Sequence, residues 1–197
     1  HYSLLDSVIK VEEGVKHCLA NGISSLAITD HGSMGGIVNF SDICEKNKLP
    51  FIVGCEAYIS VGEHNSKDFL EVDSWGDEGS KRKTNYHLTL LAKNLEGYLN
   101  LCRMSYIAHT EGFYYKPRVS FGTLAKHSKG LIALSGCLGG MLASAARDED
   151  PIKATREVAQ QHKDIFDEDY YLELQSHNIP AQINLNKHCI ALSKELD

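Results

Sequence analysis

The chain has 197 residues, 43% of them hydrophobic and 23% charged, with a formal net charge of −6. That is room for one domain with a buried core. The acidic balance makes this a poor candidate for a domain that grips duplex nucleic acid through its bulk field, because lysine and arginine supply that affinity by neutralising phosphates.

In chain order, residues 8–20 (VIKVEEGVKHCLA) carry the apolar spacing of an amphipathic helix, stopped by Asn21-Gly22. SSLAITD (24–30) predicts a short strand, 36–47 a second helix and FIVGCEAYIS (51–60) a second strand. Residues 61–85 are polar, charged and glycine-containing, and predict an exposed, mobile loop in which Trp75 serves as an anchor. HLTLLAKN (87–94) reads as a third strand, followed by a helix over about 95–108, and GLIALSG (130–136) as a fourth strand with a helix after it. A helix over 151–165 starts with Pro151 in a favoured first-turn position. YYLELQ (170–175) is a fifth strand, and 180–196 closes the chain as a helix.

Repeated strand–helix units predict an α/β domain of parallel strands with helices outside. An open doubly wound sheet and a closed barrel both fit this pattern. No GxGxxG or GxxxxGK[ST] segment follows any strand, which disfavours the nucleotide-binding sheet. In either architecture ligands gather at the carboxyl ends of strands.

The remaining composition excludes other classes. No apolar run approaches the ~20 residues needed to span a bilayer, and HYSLLDSVIKVEEG lacks the leader of a secretory signal. With His1 in first place, the chain is expected to be a fragment or processed form. The six cysteines include no CxxC pair, so neither a zinc ribbon nor a disulfide scaffold is expected. Reduced thiols in a cytoplasmic protein, most of them small core hydrophobes, are the simplest reading.

Chemistry-bearing residues recur at the predicted strand boundaries: Asp30-His31 after the first strand, Glu56 in the second, His87 opening the third and Cys137 after the fourth, with Asp6 near the start. Imidazole, carboxylate and thiolate suit zinc, iron or manganese. Each also has a plain structural reading: a hydrogen-bonded histidine, a core cysteine, or a helix cap at Asp6 or Asp30. No compact motif such as HExxH decides between them.

A series of segments does carry a resemblance. YSLLD (2–6), AITDHG (27–32), GCE (54–56), YHL (86–88), AKN (92–94), HTEGFYYKPR (109–118), GLIALSGCL (130–138) and YLELQ (171–175) occur in this order. Together they resemble the N-terminal PHP (polymerase and histidinol phosphatase) domain of bacterial DNA polymerase III alpha subunits, with HTEGFYYKPR close to a signature of the polymerase branch. The resemblance spans nearly all of residues 1–197. It implies a distorted (β/α)7 barrel, expected to be incomplete at both ends, with up to three divalent metal ions (zinc, manganese, iron or magnesium) at the strand mouth. Position by position it makes Asp6, His31, Glu56, His87 and Cys137 metal ligands. The family's HxH pair would lie before His1 and its Asp-x-His pair beyond Asp197.

The function so implied is DNA-directed DNA synthesis by the whole polymerase, a nucleotidyltransferase. The domain itself would be a metal-dependent phosphoesterase, as a 3′–5′ exonuclease in proofreading or a pyrophosphatase. Lys116 and Arg118 are candidates for holding phosphate oxygens; their alternative is an exposed basic turn beside Pro117. DNA, a separate exonuclease subunit and a sliding clamp are the implied partners, with no membrane. The rival readings are a non-catalytic structural or docking module and a free-standing histidinol-phosphatase-like enzyme, against which HTEGFYYKPR argues.

Overall fold

The computed structural model describes residues 7–73 and 80–196. The first part of the chain holds α1 (Val11–Ala20), β1 (Leu26–Ile28), α2 (Ile37–Lys46) and the ten-residue β2 (Phe51–Ser60). A small hairpin of β3 (Leu70–Asp73) and β4 (Ser80–Lys83) follows, then β5 (Asn85–Ala92) and α3 (Leu95–Thr110). The segment read as a polymerase signature is a second tight hairpin, β6 (Phe113–Tyr114) and β7 (Lys116–Val119), which leads into α4 (Phe121–Lys126). The chain continues through β8 (Leu131–Leu134), α5 (Met141–Ala145), α6 (Pro151–Phe166), β9 (Tyr170–Tyr171) and α7 (Pro180–Ser193).

The helix starts follow from local chemistry. The Asn94 side chain accepts the Gly97 N–H at the head of α3, Ser120 accepts that of Thr123 in α4, and Asp150 accepts that of Lys153 in α6, where Pro151 fills the first turn.

β2 organises the main sheet, whose order is β6-β7-β2-β5-β8-β9. One of its edges pairs with β5 along residues 54–60. The other is shared: β1 pairs with residues 51–53 and β7 with Tyr58 and Ile59. The α/β class stands, but the expectation of a parallel sheet does not. β5 runs antiparallel to both β2 and β8. The physical reason is the connection from β2 to β5. Among the described residues it contains a hairpin and no crossover helix, and a parallel neighbour needs a crossover. The expected loop over 61–85 therefore contains ordered β3–β4 pairing. Trp75 lies outside the described residues.

Alternation along β2 and β5 separates two faces. Tyr86, Leu88 and Leu90 of β5 join Cys55 and Ile59 of β2 against Leu101, Met104 and Ala108 of α3, forming the largest core. The opposite face carries Gly54, Glu56 and Tyr58, paired in register with Leu91, Thr89 and His87. Two further cores lie under α1–α2 and among α5, α6 and α7.

His162 of α6 is 2% exposed, stacks on Tyr170 and meets the ring of Phe121 edge-on. Burial pulls its pKa below the ordinary value, although Nδ1 bonds the Val158 carbonyl. A group with a depressed basic pKa is neutral when folded, so the unfolded chain takes up the proton first. Its contribution to stability is then complete above the unfolded pKa of about 6.5 and lost as pH falls below it. Urea unfolding at pH 7.5 and pH 5 is expected to show this loss, and His162→Phe to flatten that part of the pH dependence.

Candidate metal centre

The face of β2 and β5 opposite the main core gathers the polar residues singled out in the sequence. Glu56 stands mid-strand in β2, and His87 lies one register step along β5, opposite Tyr58. His31 follows β1 and continues its edge by bridging to Glu56. The Glu56 N–H donates to the Asp30 carbonyl at 3.1 Å, and the Gly32 N–H to that of Glu56 at 2.9 Å. These bonds fix where the chain turns out of β1.

Gly32 is required at that turn. Its φ of +59° is left-handed, and a Cβ there would lie 2.8 Å from both Pro117 and the Tyr58 ring.

One atom from each of His31, Glu56 and His87 lies within 4.8 Å of the others. Ligands ~2.1 Å from a common ion stand up to about 4.2 Å apart, so only slight closure is needed to share a cation. Glu56 Oε1 lies 2.7 Å from His87 Nδ1, and Oε2 lies 3.6 Å from His31 Nδ1. Cys137 approaches His87 Nδ1 at 3.7 Å, and its Sγ accepts the Gly139 N–H at 3.3 Å.

The loop carrying Cys137 is held by main-chain bonds. The His87 N–H donates to the Gly139 carbonyl at 3.1 Å, and His87 bridges to Gly140. A Cβ on Gly139 would come within 3.1 Å of the His87 ring, so a larger residue there would press on the imidazole. Burial alone would disfavour the charged imidazole of His87. Hydrogen bonds and charge from Cys137 and Glu56 outweigh it and raise its pKa to about 9. This is a cation-favouring environment. The donor set of two imidazoles, one carboxylate and one thiol suits zinc, iron or manganese.

Tyr58 underlies the site. Its ring stacks on His31 at 5.9 Å and meets His87 edge-on at 5.2 Å. Lys116 Nζ sits 5.4 Å from the centre of the same ring. Lys83 lies 4.4 Å over the Tyr86 ring, and its pKa is lowered to about 8, first by burial and then by Arg147, with Cys137 opposing.

Arg118 goes elsewhere. It is 1% exposed, and its guanidinium donates to the carbonyls of Gly112, Thr84, His64 and Ser66. The expectation that it holds substrate phosphate is corrected: a head group spent on four carbonyls is an internal clamp. Asp6 lies outside the described residues.

Sequence reasoning missed Tyr58 and Lys83. Tyr58 was within reach, two positions from Glu56 on the same face of a strand. Lys83 lay in a segment read as loop.

The family model described as PHP domain matches residues 1–177. The chain belongs to the PHP domain family. It is 37% identical over 196 residues to the DNA polymerase III subunit alpha of Aquifex aeolicus, covering 100% of this chain and 16% of that protein. To the same subunit of Chlamydia muridarum it is 39% identical over 176 residues, covering 89% and 13%. This PHP chain thus spans about one sixth or less of the length of these relatives. Among solved structures, it is similar to one from Bifidobacterium adolescentis assigned as a metal-dependent phosphoesterase, at 12% identity and TM-score 0.48 over 96% of this chain and 79% of that one. No helix among the described residues is long and apolar enough to cross a membrane.

Proposed function

We propose that this PHP domain is part of a bacterial DNA polymerase III alpha subunit, a cytoplasmic nucleotidyltransferase. In this reading its His31–Glu56–His87 centre is a metal-dependent phosphoesterase, acting as a 3′–5′ exonuclease in proofreading or as a pyrophosphatase. The observation that carries the reading is the meeting of those three side chains, with Cys137 alongside, on one face of β2 and β5. His31, Glu56, His87 and Cys137 would hold divalent cations, with Asp6 a further ligand by its place in YSLLD. Bound there, such ions polarise a phosphoryl oxygen and acidify water. Zinc, manganese, iron and magnesium are the candidates, up to three ions in all.

The chain's own residues supply positioning. Lys116, held against Tyr58, is placed to meet a phosphate oxygen as a point charge. Tyr58 fixes the planes of both imidazoles. With a net charge of −6, the domain depends on other parts of the polymerase to hold DNA. An exonuclease subunit and a sliding clamp are the further partners.

The test is release of nucleotides from a mismatched primer, and of phosphate from pyrophosphate, by the full-length protein. His31→Ala and Glu56→Ala are expected to lower one of these activities at least a hundredfold. Equal activity in both variants and wild type would sink the assignment. Loss of stability in chelator without either activity would instead favour a structural or docking module, in which the cation ties strand ends together.

A further inference from the structure

Glu56 of the His31–Glu56–His87 cluster also lines a cavity of about 330 Å³. Glu56, Cys137, Glu173, Gln175, Thr29 and Thr89 contribute to its walls. Two of these residues already belong to the metal centre, and Glu173 comes from a different part of the chain, just past β9.

Its backbone is firmly placed. The Ser135 N–H donates to the Tyr171 carbonyl at 2.9 Å, and the Glu173 N–H donates to Ser135 Oγ at 2.8 Å. The segment after β9 is thereby tied to the end of β8, two residues before Cys137.

The two carboxylate oxygens of Glu173 differ. Oε1 accepts from Gln175 Nε2 at 2.7 Å. Oε2 is buried and has no hydrogen-bond partner. A buried carboxylate oxygen without a donor is costly, and such groups call for an explanation. The Gln175 bond does not explain it, because a neutral glutamine at 173 would accept that bond equally well. The cavity wall also carries the carboxylate of Glu56 and the thiol of Cys137, and none of its donors, the hydroxyls of Thr29 and Thr89 included, bonds Oε2. Acceptors that face one another across a cavity are reconciled by a cation or by the water it holds.

We propose that Glu173 is an additional carboxylate of the metal centre, presenting Oε2 across the cavity to the cations held at Glu56 and Cys137. Gln175 is its positioning residue, fixing Oε1 so that Oε2 points inward. The inference rests on the proposed metal centre and extends it to a residue of the segment after β9.

The test titrates metal-free full-length protein with Mn²⁺ and follows cation affinity by calorimetry, alongside melting without metal. Glu173→Gln keeps the shape and the Gln175 bond but replaces the unpartnered oxygen. It is expected to weaken Mn²⁺ binding tenfold or more, the scale of effect seen when a partner of a metal ligand is lost, with metal-free melting unchanged. Glu173→Asp is expected to recover part of the affinity.

Wild-type Mn²⁺ affinity in Glu173→Gln, with binding abolished in His31→Ala, overturns this inference and leaves the centre intact. Binding that survives His31→Ala overturns the centre itself. If metal-free Glu173→Gln melts lower, the charged variant decides: affinity nearer to wild type in Glu173→Asp supports the role, and an equal loss overturns it.

Discussion

Chelation is expected to lower the melting temperature of this domain by about 8–16 °C. A cation present at ~1,000 times its dissociation constant stabilises the state that binds it by about 4 kcal/mol. For a domain of this size each kcal/mol is worth about 2–4 °C. His31, Glu56 and His87 come from three separate stretches of chain that only the folded sheet brings together, so binding energy is here folding energy. His87→Ala should remove the chelator-sensitive part of the stability, leaving a melting temperature that ignores chelator. Differential scanning calorimetry of wild type and variant, with and without chelator, makes the comparison. A wild type that melts at the same temperature in both conditions would contradict the centre.

Arg118→Ala should be the most damaging substitution outside the three hydrophobic cores, costing about 3–5 kcal/mol. It would leave the carbonyls of His64 and Ser66 without this donor, while Thr84 keeps the Val61 N–H and Gly112 the N–H of residue 118, and each buried orphan costs about 1–3 kcal/mol. Arg118→Lys should rescue little, because a single ammonium cannot serve four acceptors in a fixed fork. Lys116→Ala, two positions away on the same hairpin, is expected to leave stability within about 0.5 kcal/mol, since surface changes rarely do more. Urea unfolding of the three variants reads the contrast. Equal stability of Arg118→Ala and Lys116→Ala would show that the buried clamp does nothing.

Much of this molecule was legible in its sequence, and the illegible parts have physical reasons. Hydrophobic periodicity located the long helices and the strands that became β2, β5 and β8, because period is set by which face is buried. It did not carry strand direction. The antiparallel course of β5 follows from the β3–β4 hairpin, a charged segment whose pairing leaves no apolar signature. The hairpin over Phe113–Val119 was equally hidden. Its turn places Tyr115 at a φ of 58°, where turn rules expect glycine or asparagine.

Their place at strand boundaries singled these residues out, but only the ordered motifs made them ligands, since no spacing along the chain tells His31 that Glu56 lies beside it. The same absence misdirected Arg118. A basic residue beside proline reads as surface, and only the fold reveals four carbonyls waiting around it. Glu173 stood inside a recognised motif with no partner in sequence to mark it.

The two-faced ladder between β2 and β5 has a consequence for how the chain finds its fold. If β5 slid by one residue against β2, Tyr86 and Leu88 would exchange places with His87 and Thr89, since neighbouring strand positions point to opposite sides. The imidazole would then face the apolar layer under α3, and no cation could be held. A divalent ion held at the proposed centre during folding would therefore reward a single alignment of these strands, and act as a check on register before taking any part in chemistry.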